Sequence, residues 1–428
     1  MKTYILKNLN AREIEKLLER PSINLERTIE VVKPILTEVK KNGLQAALKF
    51  SKKFDGGLPQ SILADKKELD SAEKRLNAKV KLAIKLAARN IEAFHKLQIP
   101  KNYTVETMQG VNCSREFRAI RNIGLYIPGG NAVLPSTMLM LGIPAKLAGC
   151  KRIVVCSPAK EGKVNKALLY AAKIIGADEF YKIGGAQAIA FMAYGDDKFK
   201  KVDKIFGPGN QFVTAAKLLV SLDLQGCPID MPAGPSEVLV IADQFSNPDF
   251  IASDLLSQAE HGVDSQVVLI STSLGMINKV KEEVNKQIKL IPRKNFAVES
   301  IKSSFSLHVD NLDAAFDFSN NYAPEHLILH LKKPDIYKSK IINAGSVFLG
   351  EFSPESAGDY ASGTNHSLPT YGFAKSFGGV SVESYMKSIT FQKLSKRGLK
   401  GIADTVKTLA SVESLDAHKN AVTIRIKK

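Results

Sequence analysis

No stretch of this chain stays apolar for the roughly twenty residues that a membrane-crossing helix requires. The opening MKTYILKNLNAREIEKLLER turns polar within a few residues, so it reads as neither anchor nor secretory signal, and the expected compartment is the cytoplasm. Cysteine is scarce: Cys113, Cys150, Cys156 and Cys227 form no CxxC pair, which argues against both a disulfide framework and a thiolate zinc cluster. Acidic residues are in deficit, 43 against 60 Lys and Arg, for a formal charge of +17. That excess would suit a polyanion if it were clustered. It is not: in KKELDSAEKRLNAKVKLAIKLAARN the lysines alternate with acids and lack stacking aromatics, the pattern of a solvated helix face. No nucleic-acid partner and no membrane partner are expected. The chain also lacks the GxGxxG dinucleotide motif, the HExxH metalloprotease motif, internal repeats and low-complexity tracts.

What the chain does contain is bulk. At 428 residues and 44% apolar composition it can bury a large core spread over two or three domains. Apolar residues recur at helical spacing from about 25 to 97, with a break at Asn42 and Gly43. Beyond Arg118, β-branched runs alternate with helical ones: RIVVCS, VNKALLYAAKIIG, EFYKIGG, AQAIAFMAYG, KVDKIFG and a helix over about 211–222. A second series follows, with EVLVIAD, a helix over about 249–261, SQVVLIS, a helix over about 276–288, and GSVFLG. Such alternation predicts two α/β lobes, incomplete doubly wound Rossmann-like units with parallel sheets. Small helical segments are expected at both ends, and the residues beyond Gly379 are too thin in apolar content to form a core of their own, so they should pack on another lobe or another subunit.

Three glycine-rich turns each follow a predicted strand: Pro128-Gly129-Gly130-Asn131, Gly184-Gly185-Ala186-Gln187 and Gly207-Pro208-Gly209-Asn210. Any one is an ordinary turn; three in succession favour a polar cofactor across the strand ends, where helix N-termini offer free N–H groups. In LLSQAEHGV, Gln258 and His261 lie three apart on the last turn of a helix, with Gly262 as its expected cap. A histidine there can simply complement the helix dipole, or with the amide oxygen form half of a metal site. The run Asn321-Tyr322-Ala323-Pro324-Glu325-His326 sets two proton-transfer groups side by side after a proline that biases Ala323 toward an extended backbone. Strand neighbours face opposite ways, so Glu325 and His326 share a pocket only if the backbone there is irregular. The His326 and His330 spacing suits a helical metal pair, but HLILHL alternates like a strand. Asp359 and His366 fall in the SAGDYASGTNHSLPTYG loop, and Glu413 and His418 near the C-terminus; singly each is a surface or capping group, and spacing leaves their convergence open. A cysteine nucleophile is not favoured, because Cys113, Cys150 and Cys156 adjoin predicted strands, where buried inert thiols are common.

The strings YIPGG, IGGAQAIA, DKIFGPGN, DMPAGPSEVLVIAD, LLSQAEHG, NYAPEHL, SGTNHSLPTYG, SFGGVSVESY and LDAHKNAV occur in the order found in the histidinol dehydrogenase family, which this chain resembles from about residue 115 to its end. The resemblance implies NAD-dependent oxidation of L-histidinol through the aldehyde to L-histidine, closing histidine biosynthesis, with two NAD consumed per turnover and one Zn2+ per subunit. By matching motif it implies NAD contacts at Tyr126, Gln187 and Asn210, zinc ligands Gln258, His261, Asp359 and His418, and a catalytic pair Glu325 and His326. Substrate contacts would be Ser236, Gln258, His261, His326, Asp359, Glu413 and His418. The implied assembly is a homodimer with shared sites, His418 reaching across from the partner. The implied division is a helical segment at 1–24, a metal-bearing and catalytic lobe at 25–126 and 237–380, an NAD lobe at 127–236, and a tail at 381–428. Ser414 stands where family members often carry glycine, and Asn131 in a variable position. The rival readings are a zinc hydrolase, which would form no NADH, and a charge-driven binding module, which would show salt-sensitive retention on DNA.

Overall fold

The computed structural model describes residues 1–20, 25–129 and 133–427. β1 (Lys2–Ile5) and α1 (Ala11–Leu18) open the chain, the helix started by a reciprocal Asn10 and Glu13 capping box. The helices α2 (Leu25–Phe54), α3 (Lys66–Arg75) and α4 (Ala78–Lys96) follow. α2 breaks at Gly43, whose φ of 52° lets the Asp196 carboxylate accept the Leu44 N–H at 2.9 Å. An antiparallel pair, β2 (Tyr103–Met108) and β3 (Val111–Ala119), leads into the first alternation. It comprises β4 (Asn122–Tyr126), α5 (Pro135–Ala148), β5 (Arg152–Cys156), α6 (Lys166–Ile175), β6 (Glu179–Tyr181), α7 (Gly185–Tyr194), β7 (Lys204–Phe206) and α8 (Gln211–Leu222).

The second alternation is β8 (Glu237–Ala242), α9 (Pro248–Ala259), β9 (Gln266–Ser271), α10 (Leu274–Gln287), α11 (Lys294–Lys302), β10 (Phe305–His308), α12 (Leu312–Tyr322), β11 (His326–His330), β12 (Ser346–Leu349) and α13 (Glu355–Tyr360). β13 (Met386–Leu394), α14 (Lys396–Val412) and α15 (Asp416–Lys427) close the chain.

Two parallel sheets result, ordered β6-β5-β4-β7 and β1-β10-β9-β8-β11-β12, as the alternation predicts. Period-two alternation distributes each strand between two cores. In β8, Val238 and Val240 pack toward α9 and α10, whereas Leu239 and Ile241 pack toward α12 and α1. Burial on both faces is why EVLVIA reads as an unbroken apolar run. Each such side chain contributes about 1.5–3 kcal/mol on burial.

Three expected boundaries change. The segment 1–24 is not purely helical, because β1 pairs in parallel with β10 at the edge of the larger sheet. Residues 25–126 do not join the larger lobe: α2, α3 and α4 lay their apolar faces on α5 to α8, and β4 is a central strand of the smaller sheet. The tail contains more than helices, since β13 pairs antiparallel with β3 in a three-stranded sheet with β2. Its residues are mostly exposed on both faces, so MKSITFQKL carries no clear alternation. Among the described residues no helix is long and apolar enough to cross a membrane.

Gly207 adopts φ 124°, and a Cβ there would run into the Tyr126 carbonyl oxygen. Gly207→Ala is therefore expected to lower unfolding free energy by about 2–4 kcal/mol. Gly56→Ala, at φ 78° with open space around it, should lose only about 1–2 kcal/mol. Equal losses in denaturant titrations would contradict the close approach.

Candidate active site

β8 and β11 run parallel with His326 opposite Val238, which sets Glu325 level with Glu237 at the N-terminal edge of the larger sheet. The two glutamates lock reciprocally. The Glu237 N–H donates to Glu325 Oε2 at 2.9 Å, and the Glu325 N–H donates to Glu237 Oε1 at 3.2 Å. Glu325 Oε2 then lies 3.6 Å from His326 Nδ1, so the neighbouring side chains do share one pocket. The irregularity this requires is at Ala323. Its backbone is left-handed, φ 52° and ψ 67°, rather than extended, because it closes α12 by donating its N–H to the Ser319 carbonyl at 2.7 Å. The following proline disfavours the right-handed helical region but leaves this one open.

The end of α9 and the whole of α13 converge on His326. α9 stops at Ala259 with Glu260 as its cap, so the expected Gly262 cap does not form, and His261 lies just beyond the helix. Ligand-type atoms of His261, Glu355 and Asp359 lie within 4.8 Å of one another. Glu355, absent from the expected set, is 1% exposed. Its carboxylate lies against the Gln258 amide, which in one orientation donates to Glu355 and in the other offers its oxygen to the cluster. The signal for Glu355 was in the sequence: it stands four residues before Asp359, on the same face of a helix. Ser236 immediately precedes β8, and its carbonyl accepts the Gln266 N–H at 3.2 Å. His330, on the same face of β11 as His326, pairs with Asp254 at 2.8 Å.

Around His326 the carboxylates of Glu325, Glu355 and Asp359 stand at 3.6, 3.8 and 3.6 Å, and among the described residues neither ring nitrogen has a hydrogen-bond partner. Burial pushes the Glu325 carboxyl up to about 8 against the pull of His326. Burial also opposes charge on His326, yet Glu355, Glu325 and Asp359 outweigh it and push the imidazole up to about 10. Burial raises Glu355 well above the usual carboxylate range; Asp359, although burial works against it, is held below that range by His326. Glu355 and Asp359 with the His261 imidazole form the nitrogen and oxygen donor set that suits a divalent cation such as zinc, whose charge would favour ionisation of the raised Glu355 carboxyl.

The glycine-rich turns lie at the C-terminal edge of the smaller sheet. Tyr126 is buried, its hydroxyl accepting the Gly185 N–H at 3.0 Å. Gln187, also buried, sits 3.4 Å from Asp55, whose carboxyl burial raises and which accepts the Gly184 N–H at 3.2 Å. Asp55 lies in the first quarter of the chain, which carries no chemical signal in its sequence. Asn210 is exposed and caps α8, its oxygen accepting from the N–H groups of Phe212 and Val213 at 3.1 Å. Beneath that turn a buried ion pair, Lys217 to Asp230 at 2.5 Å, holds the Gly207 backbone. Gly130 and Asn131 lie outside the described residues. The two edges meet: Thr137, in the first turn of α5, contacts His366 at 3.1 Å, and His366 stands 3.9 Å from Asp359.

Glu413 and His418 do not join this cluster within one chain. Both are exposed, Glu413 at the end of α14 and His418 on α15, which packs against α14.

Residues 18–426 match the family described as histidinol dehydrogenase. The chain belongs to that family. It is 49% identical over 429 residues to a histidinol dehydrogenase of Vibrio parahaemolyticus, covering 100% of this chain and 99% of that one. It is 48% identical to a chloroplastic histidinol dehydrogenase of Arabidopsis thaliana, covering 100% and 92%. The crystal structure of histidinol dehydrogenase from Elizabethkingia anophelis superposes with a TM-score of 0.94 at 48% identity, covering 100% and 98%.

For this histidinol dehydrogenase family member the acid cluster has a measurable consequence. Glu325 and His326 are both raised, to about 8 and about 10, so protons bound in the folded state stabilise it at low pH and that contribution fades as pH rises through those values. Thermal unfolding is expected to show a midpoint falling from about pH 7 to about pH 9, above the range where the depressed His95, His261 and His366 work in the opposite sense. A midpoint that climbed over this range would contradict the cluster's electrostatics.

Proposed function

We propose that this chain oxidises L-histidinol through L-histidinaldehyde to L-histidine in the cytoplasm, as the last steps of histidine biosynthesis, with zinc and NAD. What carries the reading is the buried pairing of Glu325 with His326 beside the Gln258, His261 and Asp359 side chains, in a chain alignable end to end with histidinol dehydrogenases. Gln258, His261, Asp359 and His418 of the partner subunit would hold one zinc ion, which would supply a Lewis-acidic site that orients a nitrogen-bearing substrate. Tyr126, Gln187 and Asn210 would hold NAD, which would supply the hydride acceptor for each of two oxidations. Ser236 and Glu413 of the partner subunit complete the substrate contacts.

His326, once it has released the proton that the surrounding carboxylates hold on it, takes the hydroxyl proton in the first oxidation on a ring nitrogen that no group among the described residues occupies. The aldehyde must gain a water before its carbon can lose a second hydride. Glu325 is built for that proton: Oε2 is tied to the Glu237 N–H, leaving Oε1 to accept from water as its oxygen bonds to the carbonyl carbon. The burial that raises Glu325 also excludes bulk water from the reacting carbon.

The homodimer reading is supported by the tail, where Leu409, Val412, Leu415 and Ile424 are exposed beside Glu413 and His418, and by β2, exposed along its whole length. Unpaired apolar surface of this kind favours a second copy.

Histidinol with NAD should yield two NADH per histidine, and a chelator should stop the reaction; an absence of NADH would remove the proposal. His326→Ala is expected to retain zinc while kcat falls about a hundredfold or more. Zinc loss would mean the roles are misassigned. Subunit exchange between His261→Ala and His418→Ala dimers should restore one intact site per hybrid, whereas ligation within one chain would restore none.

A further inference from the structure

The group best placed to govern Glu325 without touching substrate comes from the other end of the chain. Arg20 follows α1, and its side chain is 7% exposed. Its Nε and Nη2 donate to both oxygens of Glu237 at 2.8 and 2.9 Å, and Nη1 donates to the Leu18 carbonyl at 2.9 Å. Nη2 also reaches the Tyr322 carbonyl at 2.5 Å and the Ala323 carbonyl at 3.4 Å, while the guanidinium lies 3.5 Å from the centre of the Tyr322 ring. The ring is fixed in turn by its hydroxyl, which donates to Gln266 at 2.7 Å.

These contacts converge on one short stretch. The left-handed Ala323 is a strained conformation for a residue with a Cβ and persists only where its surroundings hold it. Arg20 grips the carbonyls on either side of the Tyr322 to Ala323 junction. Through Glu237 it also reaches the far side of the loop, because the Glu237 carboxylate accepts the Glu325 N–H and the Glu237 N–H holds the Glu325 carboxylate. A planar fork that serves a carboxylate with two donors and still has donors for carbonyls is within reach of arginine and not of lysine. Without it, a buried carboxylate at the head of β8 would stand uncompensated, and Glu237 would have to move or take up a proton.

We infer that Arg20 is a positioning residue for the second oxidation, acting through Glu237 and the Tyr322 and Ala323 carbonyls to aim the Glu325 carboxylate at the water that adds to the aldehyde carbon. This rests on the reading of Glu325 as the base that activates water. His326 belongs to the β11 ladder and is held there independently of the fork, so the first oxidation depends on Arg20 less.

The test measures, in the zinc-loaded protein with NAD, the kcat for histidinaldehyde and for the first NADH from histidinol, together with the thermal midpoint. Arg20→Gln should lower aldehyde oxidation at least tenfold more than alcohol oxidation, with KM for the aldehyde little changed, and Arg20→Lys should recover part of the difference. A merely structural role would depress both oxidations alike. If Arg20→Gln does not fold, the double variant Arg20→Met with Glu237→Met removes both buried charges and should show the same selective defect. Glu325→Gln is the control. If it loses aldehyde oxidation while the Arg20 variants keep the parental ratio of the two rates, the positioning role is overturned. If Glu325→Gln keeps aldehyde oxidation, the assignment of the base itself falls and the inference falls with it.

Discussion

Two parallel strands held in register, β8 and β11, bring Glu237 and Glu325 level at one sheet edge, and the chemistry of the site follows from how those two acids coexist. Like charges this close repel unless one is neutralised or one keeps its proton. Both remedies are present. Arg20 compensates Glu237 with a two-pronged ion pair, while burial pushes Glu325 up to about 8, where it can exchange a proton near neutrality. The reciprocal N–H contacts also satisfy two backbone donors at the strand heads that would otherwise be buried without partners.

The same economy of charge extends outward. Glu355 and Asp359, one helical turn apart on α13, add two more carboxylates around His326, and the end of α9 brings Gln258 and His261 to them. A region this acidic holds a protonated imidazole readily and favours a divalent cation even more. Proton transfer and metal binding are thus two uses of a single cluster of acids. At the smaller sheet the acids are likewise satisfied by backbone donors, Asp55 by the Gly184 N–H and Asp230 by the Gly207 N–H.

The parts of the fold legible in the sequence were those buried on two faces. EVLVIA and QVVLIS read as strands because both sides pack against helices, and the 211–222 helix was bounded by its Asn210 cap and apolar spacing. β13 was not legible, since a strand exposed on both faces has no pattern to enforce. Of the candidate residues, Glu325, His326, Gln258, His261 and Asp359 were named from motifs, and the structure brings them to one edge. Glu355 had a readable helical offset from Asp359 that went unused. Arg20 had none, because its partner Glu237 lies 217 positions away and nothing local marks a residue that acts through tertiary contact. Asp55 was hidden similarly at the end of an amphipathic helix whose visible signal is burial. Ala323 reversed expectation because closing α12 outweighed the usual effect of a following proline.

The first strand of the polypeptide must wait for a partner made much later. Thr3 and its neighbour across the sheet, Ser306, are 303 positions apart. At about 5–20 residues per second, a ribosome needs roughly 15–60 seconds to supply that neighbour after the amino terminus is made. Throughout that interval β1 is an unpaired edge, and Arg20, until the chain has grown 217 positions beyond it, is a cation without its acid. Assembly of the larger lobe is therefore a late event in biosynthesis, with a high contact order that slows its closure, and nascent chains of this protein should depend on being shielded from one another until their carboxy-terminal half emerges.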